Sequence, residues 1–130
     1  MRILGFSKKW LKLNPDKPVA ERPKFTTFRF ERKDKPHFVG EQMQIVIQPR
    51  RKGGGEKLGI AEIIKKEPRN MVKILADERI IPTVSEAEAK DDGFENYWDM
   101  WHWLFDTYHG GQRFIDEPMN KLTLEWCKEK

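Results

Sequence analysis

The sequence predicts an α+β fold: a small β-barrel of five or six strands with two helices packed against it, built as a single domain over residues 1–130. Three observations predict it. Short alternating or β-rich segments fill the first 75 residues, divided by Gly, Pro and charged clusters. The apolar period then lengthens to that of a helix after Pro82. Alternation returns at the end, from Asn120 to Glu129.

The elements follow in order. "RILGF" (Arg2–Phe6) reads as a first strand. "KKWLKLNPDKPVAERP" (Lys8–Pro23) has three prolines and many charges, so it reads as an irregular connection with one helical turn around Trp10 and Leu11. "KFTTFRFER" (Lys24–Arg32) is rich in aromatic and β-branched residues and reads as a strand. "DKPHFVGEQ" (Asp34–Gln42) reads as a turn with Gly40 at positive φ. In "QMQIVIQPR" (Gln42–Arg50), Met43, Ile45 and Ile47 share one face and Gln44, Val46 and Gln48 the other. The loop "RRKGGGEK" (Arg50–Lys57) carries three consecutive glycines, which predicts a backbone not held by packing. "LGIAEIIKKEP" (Leu58–Pro68) returns as a strand, and "MVKIL" (Met71–Leu75) extends or follows it.

Ser85 with Glu88 three residues later is a capping-box pattern, which predicts a short helix over Thr83–Lys90 with Gly93 as its left-handed stop. The longest helix is predicted over Asn96–Gly111, with Asn96 as N-cap, Asp99 at the third position and Gly110-Gly111 at its end. At 100° per residue, Tyr97, Trp98, Met100, Trp101, Leu104, Phe105 and Tyr108 form a core stripe opposite Asp99, His102 and Asp106. Trp103 projects on the polar side. There it can stack on a base, seat a partner chain, or be covered by the N-terminal connection.

Composition narrows the function classes. Hydrophobic residues make up 38% and charged residues 35%, which together with five Trp and eight Phe argue for a folded, soluble chain. No apolar run approaches the roughly 18–20 residues of a membrane span, and the N-terminus becomes charged too soon for a signal peptide. A single cysteine, Cys127, excludes an intrachain disulfide and a multi-Cys zinc site, and a reducing cytoplasmic compartment is expected. His102 with Asp99 and Asp106 lacks a second soft ligand, so no metal site and no cofactor are expected.

The net charge of +4 hides an asymmetry. Residues 1–75 hold 19 Lys/Arg against 8 Asp/Glu, whereas residues 76–130 hold 6 against 13. A basic front half suits an anionic partner. Arg22, Arg29, Arg32, Lys33, Lys35, Arg50, Arg51, Lys52 and Lys57 fall in turns and strand ends. Gathered on one side they would form a phosphate-facing rim for single-stranded or structured RNA, with Trp103 as an aromatic contact. On the polar strand, Thr27 shares a face with Arg29, so a hydroxyl and a guanidinium can converge on one phosphate or carbonyl, while Thr26 points with Phe28 and Phe30. The same residues also suit a solvated edge strand.

The ordered set "KFTTFR", "VGEQMQIVI", "LGIAEI", "DGFENYWDMWHWL" and "NKLTLEW" resembles the ASCH domain of the PUA-like superfamily from about Phe25 to Trp126. The family pattern has a G-x-K-T-x-T-x-R-like strand, a G-[DE] turn into a strand, a G-x-A-x-I strand and an acidic-Gly-Phe step into a helix; here Phe25 stands where the family often has Thr or a small residue, and "ERP" precedes Lys24. The resemblance implies a small barrel with a cleft that binds RNA. It also implies an alternative activity, either hydrolysis of a modified nucleoside such as an N4-acylcytidine or ribonuclease cleavage. For that alternative it implies Lys24, Thr27 and Asp92 as catalytic residues, with Arg29 nearby. Asp92 is one methylene shorter than the Glu of the amidohydrolase pattern. A protein-interaction module using Trp103 or its helix is the remaining reading.

Overall fold

The computed structural model describes residues 2–8, 10–31, 34–50, 52–108 and 112–127. Their strands are β1 (Ile3–Phe6), β2 (Phe25–Phe30), β3 (Gln42–Ile47), β4 (Glu56–Arg69), β5 (Val72–Ile74), β6 (Ile80–Pro82) and β7 (Met119–Trp126). The helices are α1 (Glu86–Asp91), α2 (Tyr97–Thr107) and α3 (Gln112–Asp116), and single 3-10 turns lie at Leu11–Leu13 and Val19–Glu21.

Five strands form one curled sheet in the order β1-β3-β4-β7-β2. β1 runs parallel to β3, and the other neighbours are antiparallel. The sheet is a half-barrel. Its two edge strands, β1 and β2, face each other across a gap with no strand pairing between them among the described residues. β4, 14 residues long, pairs with β3 over its first half and with β7 over its second, and its register against β7 shifts between Ile63 and Lys65, a bulge that bends the strand. A second shift, between Ile45 and Val46, bends the β3–β4 pair. β5 and β6 form a separate two-stranded hairpin.

Two cores hold this shape. Met43, Ile45 and Ile47 point inward as their alternation predicts and meet Phe6, Phe25, Ile63, Leu122 and Leu124. Trp10 and Leu13, from the irregular connection, close the same core. The second core packs Phe28, Phe30 and Met119 of the sheet against Met100 and Leu104 of α2 and Phe114 of α3. Truncating a side chain such as Leu104 to Ala costs about 2–5 kcal/mol by the usual transfer and cavity terms.

Several expectations need correction. Among the described residues three helices are present rather than two, because α3 follows the long helix. β6 was not anticipated, since "IIP" is too short to show a period. Trp98 and Phe105 are about half exposed instead of buried, because the face of α2 turned to the core centres on Met100 and Leu104. The triple-glycine loop is not free throughout. Gly55 has φ +78°, and a Cβ there would run into the Ile47 and Gln48 carbonyls. The capping box at Ser85 and Glu88, the Asn96 cap and the left-handed Gly93 (φ +99°) form as read. The predicted Gly110-Gly111 stop lies outside the described residues. No helix among them is long and apolar enough to cross a membrane.

Candidate functional site

Arg29 bridges the gap between β1 and β2, beside an edge-on contact of Phe6 and Phe25 at 6.2 Å. Arg29 Nη2 donates to the Gly5 carbonyl at 2.7 Å, its Nε donates to Thr27 Oγ1 at 3.2 Å, and its guanidinium carbon lies 4.8 Å from the Phe6 ring centroid. Residues 27 and 29 share a face of β2, as alternation requires, and that face looks across to β1. Burial pulls the Arg29 pKa down, against the opposing pull of Tyr108 and Asp92. Arginine nonetheless stays protonated in proteins.

Beside this bridge lies a cavity of about 460 Å³. Trp10, Phe94 and Trp103 make its aromatic wall, and Lys12, Thr27 and Asp92 are among its polar lining. Trp10 and Trp103 meet edge-on, with ring centroids 5.5 Å apart, and Phe94 lies 5.1 Å from Trp10. The Leu11–Leu13 turn produces this arrangement. Leu13 is fully buried and Asn14 closes the turn at φ 48°, so Trp10 is pressed onto α2 and Lys12 is directed under it.

Lys12 Nζ lies 3.2 Å from Asp92 Oδ1 and donates to the Thr26 carbonyl at 2.8 Å. Thr26 Oγ1 donates to the same Asp92 oxygen at 3.1 Å. Both charged side chains are nearly buried, at 8% and 7% exposure. Burial lowers the Lys12 pKa and raises that of Asp92, and their mutual attraction opposes both shifts. Asp92 caps the C-terminal end of α1, and the left-handed Gly93 then turns the chain so that Phe94 enters the aromatic wall.

The structure therefore brings Thr27, Arg29, Asp92 and Trp103 to one cavity. It leaves Lys24 apart, in an exposed depression shared with Lys90, Asp91 and Glu95. Lys24 sits just ahead of β2, and the amine that reaches the cavity is that of Lys12. Sequence reasoning missed Lys12, since nothing in "SKKWLKLN" separates it from Lys8 and Lys9. Trp103 is covered by Trp10, which is the third of the readings given for it.

The basic residues scatter. Arg50 lines a second cavity in the same gap, Lys57 lines a shallow site beside Cys127, and Lys52 is exposed in the glycine loop. Arg22 is used structurally, donating to the Leu58 carbonyl at 2.9 Å and lying over Trp126. Arg32, Lys33 and Arg51 lie outside the described residues. Among those described, no three His, Cys, Asp or Glu side chains cluster to hold a metal.

No protein-family model matches the chain, and searches of curated proteins and of solved structures return no match.

Proposed function

We propose that this chain is a binding module for single-stranded or structured RNA, which it grips by taking an unstacked base into the cavity between β1 and β2. The observation that carries this reading is the cavity itself. About 460 Å³ lies within the usual range for small-ligand sites, and three aromatic rings stand beside a lysine–aspartate pair and an arginine. Stacking on aromatic rings, with a few polar groups to orient the base, is how unpaired bases are held. The ASCH-like order of motifs and the basic front half of the sequence point the same way. The lone Cys127 fits a reducing, cytoplasmic setting. The test is fluorescence anisotropy of a labelled single-stranded RNA across a salt series. Binding that weakens steeply with salt, and weakens again in Trp103→Leu, is expected. Salt-independent binding, or none, would refute the reading.

A second reading is favoured by one observation, the buried Lys12 amine facing Asp92 in the cavity that Thr27 lines. This is the equipment of a hydrolase acting on a modified nucleoside. Burial favours the neutral amine that a general base requires, Asp92 can exchange a proton with it, and Thr27 supplies a hydroxyl. In this reading Lys12 replaces Lys24 as the working amine. Turnover of N4-acetylcytidine by wild type and by Lys24→Ala, with none by Lys12→Met, is the expected pattern. Loss of turnover in Lys24→Ala with Lys12→Met still active would contradict it.

A further inference from the structure

On the far side of the Arg29 guanidinium the same gap opens into a second cavity, of about 630 Å³. Both cavities are lined by Gly5, Phe6, Ser7, Arg29 and Tyr108, so they are two halves of one cleft divided by the Arg29–Gly5 bridge. Their walls differ. The first is aromatic. The second gathers Arg2, Arg29, Arg50 and Arg113, with Glu31 the one carboxylate among its described lining residues.

Most of these charges are already engaged. Arg2 is held by Glu41, with Nε 2.6 Å from Oε2. Arg113 pairs with Glu117 at 2.5 Å while its guanidinium lies 3.9 Å from the Phe30 ring centroid. Glu31 accepts from Lys66 at 2.8 Å and from Asn120 at 3.1 Å. Two cations remain. Arg29 gives its hydrogen bonds to a hydroxyl and a carbonyl, both neutral. Arg50 has no ion pair among the described residues and stands exposed at the cavity. His37 lines the same space at 7% exposure, and its Nδ1 has no hydrogen-bond partner among the described residues.

Asp92 acts on Arg29 without accepting a hydrogen bond from it; a guanidinium withdrawn from water with no carboxylate in hydrogen-bond contact is only partly compensated, and an anion beside it relieves the remaining cost. Guanidinium groups match phosphate oxygens in a two-pronged geometry. We infer that the second cavity is a phosphate subsite, which holds the phosphate of the same nucleotide whose base enters the aromatic cavity. Arg29 binds at the boundary and Arg50 closes from the mouth. This inference rests on the base-binding reading above. It makes the ligand a nucleotide unit rather than a free nucleoside, and the cavity exceeds one phosphate, which leaves room for the chain to continue.

The experiment is calorimetric titration of the full chain with the four ribonucleosides, their 5′-monophosphates and their 3′-monophosphates. A monophosphate that binds about tenfold or more tightly than its nucleoside is expected, with that advantage lost in Arg50→Ala and in Arg29→Gln. Nucleosides that bind as well as every monophosphate would overturn the phosphate subsite and leave the base-binding reading standing. An advantage that survives both substitutions would also overturn it. Monophosphates that bind where nucleosides do not would support the subsite and remove the aromatic cavity as the main anchor. No binding by any probe would overturn both.

Discussion

Lys12 Nζ and Asp92 Oδ1 lie 3.2 Å apart beneath Trp10, and they join a turn near the N-terminus to the end of α1. Both are nearly out of water, so each is tolerable mainly because the other is present. Removing one partner of such a pair leaves an uncompensated buried charge, which costs about 3–5 kcal/mol. Lys12→Met is therefore expected to lower the chemical-denaturation midpoint sharply, and Lys12→Met/Asp92→Asn to recover part of the loss. Equal destabilisation by the single and the double variant would show that the two groups are not coupled.

Acid sensitivity should come from a different cluster. Glu88 receives Arg69 and, at 3.1 Å, Lys121, which with its capping-box role holds its carboxyl at about 2, below the usual 4.5. A carboxyl depressed in the folded state stabilises the fold above its unfolded pKa. That stability is lost as pH falls through the folded value. Up to about 3 kcal/mol should disappear between roughly pH 4.5 and 2. Thermal melts of wild type and Glu88→Gln across that window should converge toward low pH. Parallel curves would argue against the assignment.

Gly55 and Gly53 should respond differently to alanine. Both have positive φ, but only at Gly55 does a Cβ collide with backbone, the Ile47 and Gln48 carbonyls. Gly53→Ala should cost about 1–2 kcal/mol from its left-handed backbone, and Gly55→Ala more. Urea denaturation of the two variants measures the difference, and equal costs would mean the loop end is not held against β3.

The parts that could be read in the sequence are those whose signals are local. Alternation in "QMQIVI", the Ser85–Glu88 box and the Asn96 cap each determine their own element, and each formed. Thr27 and Arg29 fall together because a strand's faces follow from its period, whereas Asp92 comes only from the resemblance of its acidic-Gly-Phe step to a family pattern; all three line the first cavity. The rest depended on contacts distant in sequence. Lys12 joins the site only because Leu13 and Trp10 find buried places, and Arg113 lines the cleft only because a five-residue helix follows the long one. The half-barrel gap is likewise set by which strands end up at the edges, which no window along the chain contains.

Arg50 should contribute to binding through charge alone. It is exposed and carries no ion pair among the described residues, so Arg50→Ala is expected to leave stability nearly unchanged. The slope of log affinity against log salt should then fall by about one if Arg50 neutralises one phosphate. An unchanged slope would place Arg50 outside the interface.

The most direct test of the central claim is photo-crosslinking of the full chain to a short RNA carrying 4-thiouridine, with the linked peptides mapped by mass spectrometry. An RNA base in the β1–β2 cleft predicts cross-links on peptides that contain Trp10, Trp103 or Tyr108, reduced by competing unlabelled RNA. Cross-links confined to surfaces away from the cleft, such as the β5–β6 hairpin, or none at all, would contradict it.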